Sequence, residues 1–83
     1  MGTEKRVLDN IKYEVAVAHN EQINPWFEYG TVWCDGITSD VADTIKTTLE
    51  SNFNSKIQVS KLKATNTEPW DQYAFDIGAP ENG

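Results

Sequence analysis

Apolar and polar residues recur with two different periods along this chain. Over residues 11–19, Tyr13, Val15 and Val17 alternate with Lys12, Glu14, Ala16 and Ala18, which is the period of two expected of a half-buried strand. The stretch 20–24 is polar and Pro25 cannot donate to a ladder, so the chain is expected to turn there and resume as a second strand over 26–35. Together these make a first hairpin over 11–35 with a loop of about five or six residues. On the second strand Phe27, Tyr29, Thr31 and Trp33 share one face, while Trp26, Glu28, Gly30, Val32 and Cys34 share the other. Both faces are partly apolar. One helix covers only one side of a small sheet, so the remaining side of this strand is a candidate contact surface.

Asp35-Gly36 ends that strand, and the period then changes to 3.6. Val41, Ala42, Ile45, Leu49 and Phe53 form one apolar stripe over a helix at 38–54, with Asp43, Lys46, Thr47 and Glu50 facing water. Thr38, Ser39 or Asp40 supplies the N-cap, Asp40 and Asp43 suit the positive end of the helix dipole, and Asn52 and Asn54 suit its other end. A second hairpin follows over 55–78. Ile57 and Val59 alternate with Gln58 and Ser60 before the phase slips to Leu62 and Ala64, which predicts a bulge near Ser60 or Lys61. Lys56, Lys61 and Lys63 mark this strand as an edge. After Pro69, residues 70–77 place Tyr73, Phe75 and Ile77 on one face of its partner. Residues 1–10 read as a short helix or an extended arm, and 79–83 as a mobile polar tail.

The segment Pro25-Trp26-Phe27-Glu28-Tyr29 returns as Pro69-Trp70-Asp71-Gln72-Tyr73. The same ungapped offset of 44 also pairs Lys12 with Lys56 and Val15 with Val59, which suggests an internal duplication. The expected fold is one α+β domain over 1–83, (α)ββαββ, with a four-stranded antiparallel sheet packed on one helix and an approximate internal twofold. Its topology is that of a permuted ferredoxin-like plait. A right-handed crossover favours the strand order 1-2-4-3, with both Pro-Trp strands central and the lysine-rich strand at an edge; 2-1-3-4 is the alternative. Because both copies keep them, Trp26 and Trp70 read as structural anchors, whereas Trp33 belongs to the part of the strand where the copies differ.

Charge narrows the partners. The 83 residues carry 13 acidic and 7 basic side chains, a net of −6, which repels nucleic acid and anionic lipid. Glu21, Glu28, Asp35, Asp40, Asp43 and Glu50 face only Lys46 over residues 21–50. No apolar run approaches the roughly 18 residues of a membrane span, and the charged first residues do not resemble a secretory leader, so a cytoplasmic location is expected.

Candidate chemistry is sparse. His19 and Cys34 are each the sole residue of their type, so neither a zinc-type cluster nor a supported nucleophile and base can be assembled from them. Asp35, Asp40 and Asp43 lack the spacing and closing Glu of a calcium loop and read as capping and solubilising groups. Glu14 and Glu28 have no pocket to make them a catalytic pair. No enzyme activity, cofactor or metal is expected. The reading that remains is a small acidic, non-catalytic protein-binding protein. It would act as an inhibitor on a basic or nucleic-acid-binding surface of a larger protein, as phage-type inhibitors do, through Glu28, Val32, Trp33, Asp35, Asp40 and Asp43. Two alternatives stand beside it: a homodimeric assembly module using its open sheet face, and a single-strand binder stacking bases on Tyr29, Trp33 or Tyr73, with Lys56, Lys61 and Lys63 as its only basic track.

Overall fold

The computed structural model describes residues 2–62 and 72–77. Its elements run α1 (Gly2–His19), β1 (Trp26–Glu28), β2 (Thr31–Asp35), α2 (Ser39–Phe53), β3 (Gln58–Leu62) and β4 (Gln72–Asp76). The fold is α+β. The four strands form one antiparallel sheet in the order β1-β2-β4-β3, and both helices lie on the same side of it.

Residues 11–19 are helical, not a strand. Val7, Ile11 and Val15 recur every fourth residue and are 1%, 0% and 0% exposed, whereas Tyr13 and Val17 are 64% and 67% exposed. The alternation at 13, 15 and 17 shares only Val15 with this stripe. Read back to Val7, the spacing of four prevails, and Glu14, Ala16 and Ala18 are comfortable in a helix. The helix ends where Asn20 takes a left-handed φ of 55°, its N–H bonding the Ala16 carbonyl at 2.9 Å. Residues 20–25 therefore join a helix to a strand, and two helices rather than one cover the sheet.

The expected strand over 26–35 is itself a hairpin. Tyr29 and Gly30 take φ values of 55° and 72°, the paired left-handed conformations of a two-residue turn. Glu28 opposes Thr31, Phe27 opposes Val32 and Trp26 opposes Trp33. A two-residue turn reverses the parity of the alternation. Phe27 thus sides with Val32 and Cys34 toward the helices, and Trp26 sides with Trp33 on the other face, which resolves why both faces of the uninterrupted reading looked apolar.

β2 and β4 form the centre of the sheet, with Val32 against Phe75 and Cys34 against Tyr73. These four side chains are 0–5% exposed and pack with Val7, Ile11 and Val15 of α1 and Val41, Ile45 and Leu49 of α2. Burying a side chain of this size contributes about 1.5–3 kcal/mol. The Tyr73 and Phe75 rings stack with centroids 6.2 Å apart. β3 is an edge, as its lysines predict, but its register with β4 runs unbroken from Gln58↔Asp76 to Leu62↔Gln72, so there is no bulge. Leu62 simply turns to the face away from the helices.

α2 follows its sequence signals closely. The Thr38 hydroxyl accepts the Val41 N–H at 3.3 Å, and Asn54 closes the helix with φ 53°. The Glu50 carboxylate then accepts the Ile57 N–H at 3.2 Å, tying the helix end to the approach of β3.

The offset of 44 is not a structural repeat, because it sets helical residues 12–18 against 56–62, which include β3. What recurs is the element order helix-strand-strand. Trp26 lies in the edge strand β1, so the first Pro-Trp pair is not central. Pro69, Trp70, the expected continuation of β3 to 65 and the tail at 79–83 lie outside the described residues.

Candidate interaction face

The side of the sheet opposite the helices is assembled row by row from the strand register. One row runs Trp26, Trp33, Ala74, Ser60 across all four strands. Beside it runs Glu28, Thr31, Asp76, Gln58, and on its other side Asp35, Gln72, Leu62. Neither helix reaches this face. Trp26 and Trp33 stand next to each other on it, both half-buried, and Leu62 is 44% exposed. The three rows contain three carboxylates, Glu28, Asp35 and Asp76, and no lysine or arginine.

Hydrogen bonds hold part of this surface in place. Trp26 Nε1 donates to Glu28 Oε1 at 3.3 Å, Trp33 Nε1 to the Glu28 carbonyl at 3.4 Å, and Gln72 Nε2 to Asp35 Oδ1 at 2.8 Å. Glu28 therefore links both indoles, and the two rings present mainly carbon. Rings supply contact area at small entropic cost, which is why Trp is enriched among residues that dominate binding energy. Tyr29 projects from the end of the face at the hairpin tip and is 95% exposed.

Of the residues singled out from sequence, Glu28, Trp33 and Asp35 come together on this face. Val32 does not: its side chain is 0% exposed in the core, because the turn at Tyr29-Gly30 reverses its parity. Asp40 and Asp43 are exposed on α2, in the opposite layer, where Asp43 lines a shallow groove with Glu14, Thr44 and Thr47. Trp26 and Asp76 join the face without having been anticipated, and Tyr29, singled out from sequence only as a base-stacking candidate, stands at its tip. A tight turn at Tyr29-Gly30 was the missing signal, since it alone brings Trp26 beside Trp33.

The nucleophile and base candidates have structural surroundings. Cys34 is buried, and burial pushes its thiol up to about 11. His19 ends α1 rather than a strand, is half-buried, and its Nε2 lies 2.7 Å from the Thr44 hydroxyl, joining the end of α1 to α2. Among the described residues no group of three or more His, Cys, Asp or Glu side chains is placed to hold a metal ion, and no helix is long and apolar enough to cross a membrane. Compared with family models, curated proteins and solved structures, the chain matches none.

Proposed function

We propose that this protein is a non-catalytic binding module that sets the open face of its sheet against a basic surface of a larger protein, in the manner of an inhibitor occupying a nucleic-acid-binding groove. The observation that carries this reading is the adjacent pair Trp26 and Trp33 on a helix-free face whose charged strand residues, among those described, are acidic. The rings supply apolar area, and the carboxylates select a cationic partner and steer its approach. The formal charge of −6 extends that field over the whole molecule.

The same charges weigh against the alternatives. Face-to-face self-association would set Glu28 and Asp35 of one copy against those of another, with no lysine or arginine among the described residues of those rows. Single-stranded nucleic acid would bring its phosphates to the same carboxylates, while Lys61 lies by register on the other side of β3, 5.9 Å from the Tyr73 ring centroid. Catalysis would need a reactive group, and Cys34 is buried and protonated at neutral pH.

The test is to purify the host protein that the full chain captures and measure its affinity for wild type and for a Glu28→Lys, Asp35→Lys double variant over a range of ionic strength. Affinity should fall as salt rises, and the double variant should bind about tenfold or more weakly. Salt-independent affinity, or a double variant that binds like wild type, would refute the reading.

A further inference from the structure

The open face ends in a depression of about 450 Å³ between the α1–β1 connection and the turn after β2. It is lined by Glu21, Gln22, Ile23 and Asn24 of the α1–β1 connection, by Trp26 of β1, and by Asp35 and Gly36 at the end of β2. The register explains the juxtaposition: since Trp26 opposes Trp33, continuing the antiparallel pair sets Asn24 against Asp35. Gly36 contributes no side chain, and among the described residues a Cβ built there meets nothing within 4 Å. Among the described residues no lysine or arginine lines it; Glu21, Gln22, Ile23 and Asn24 also border a neighbouring groove that holds Lys12, Tyr13 and Ala16.

We infer that this depression receives an arginine side chain of the partner, an assignment that rests on the protein-binding reading above. A guanidinium is planar and weakly hydrated, stacks on aromatic carbon and donates in a fixed fork to carboxylates. The residues that line the depression carry the matching groups: the carboxylates of Glu21 and Asp35, the side-chain amides of Gln22 and Asn24, and the Trp26 indole. With its N–H engaged by Glu28 Oε1, the rest of that indole's surface is carbon. Asp35 is already oriented, because Gln72 Nε2 occupies its Oδ1 at 2.8 Å and leaves Oδ2 to accept from an incoming donor. A lysine ammonium would find the carboxylates but would use neither the stacking surface nor the planar fork.

The probe is a blocked pentapeptide, Ser-Gly-Arg-Gly-Ser, compared with its lysine and citrulline counterparts by NMR titration of the full chain at neutral pH and low salt. The arginine peptide should give saturable shifts at the Trp26 indole N–H and the Asp35 and Gly36 amides, about threefold or more tighter than lysine, with no response to citrulline. Asp35→Asn, which keeps an oxygen for Gln72, and Glu21→Gln should each weaken the response about threefold or more. Asp43→Asn, on α2 and away from the open face, should leave it unchanged. The inference is overturned by no saturable shift, by lysine or citrulline responding as arginine does, or by shifts that ignore both carboxylate variants or vanish with Asp43→Asn. Loss of the host protein by Trp33→Ala while the peptide still binds separates the two levels: the face would stand for docking and the depression for its arginine subsite. Retention of that protein by Trp33→Ala would count against the docking face alone.

Discussion

Tyr29 holds a left-handed backbone at the tip of the β1–β2 turn while its side chain is 95% exposed. A bulky residue in that conformation sacrifices about 1 kcal/mol that glycine or asparagine would largely recover. Tyr29→Asn should therefore raise the urea midpoint, by an amount equivalent to about 0.5–1 kcal/mol. A lower midpoint would show that the ring makes stabilising contacts at the tip. Cys34 presents the opposite case, a side chain that is wholly packing. Burial lifts its thiol from 9.0 to about 11. The neutral thiol contributes stability that is complete below the ordinary value, and it is lost as pH rises from about 9 toward 11, because over that interval only the unfolded chain releases the proton. The native thiol should resist a disulfide reagent at pH 8 and react on unfolding. Rapid reaction of the folded protein would contradict its burial.

At the scale of the element, α1 carries the largest departure from the sequence reading, and it is open to direct test. Ile11→Ala should cost about 2–5 kcal/mol, whereas Tyr13→Ala and Val17→Ala should each stay within about 0.5 kcal/mol. A strand with Tyr13, Val15 and Val17 on its buried side would give large losses at all three of those positions. The α2–β3 junction makes a separate prediction. The Ile57 N–H, followed by the nearby Lys46 charge, holds the Glu50 carboxyl below its ordinary 4.5. Its contribution is present above that value and is lost as pH falls through the lowered one. Glu50→Gln keeps an acceptor but removes the titration, so the acid limb of the stability profile should flatten; an unchanged limb would exclude Glu50 as a source of the acid sensitivity.

These elements also show what could be read in the chain. α2 was legible to its boundaries because the Thr38 cap, the stripe from Val41 to Phe53 and Asn54 all agree. β2, β3 and β4 were legible as strands, and so was the edge position of β3. α1 was not, because Tyr13 and Val17 fall by chance on the alternating positions around Val15, and a short window cannot separate the two periods. The hairpin at Tyr29-Gly30 was hidden because tyrosine is a poor signal for a left-handed turn position. That single turn decides which residues can form a surface: it removes Val32 from it and adds Trp26.

For the whole molecule, the two layers present different surfaces. The helical layer exposes Tyr13, Val17, Asp40 and Asp43, and the sheet exposes its tryptophan row with Glu28, Asp35 and Asp76. Asp40 and Asp43 add to the overall field without sharing the face. The measurement that bears most directly on the docking claim compares Trp33→Ala with an Asp40→Asn, Asp43→Asn double variant, each verified as folded, for affinity toward the captured host protein at fixed ionic strength. Trp33→Ala should lower affinity by about tenfold or more, mainly through faster dissociation, and the double variant should lose about threefold or less, mainly through slower association. A Trp33→Ala protein that binds like wild type, with the loss falling on the α2 variant, would place the contact on the helices and contradict the account.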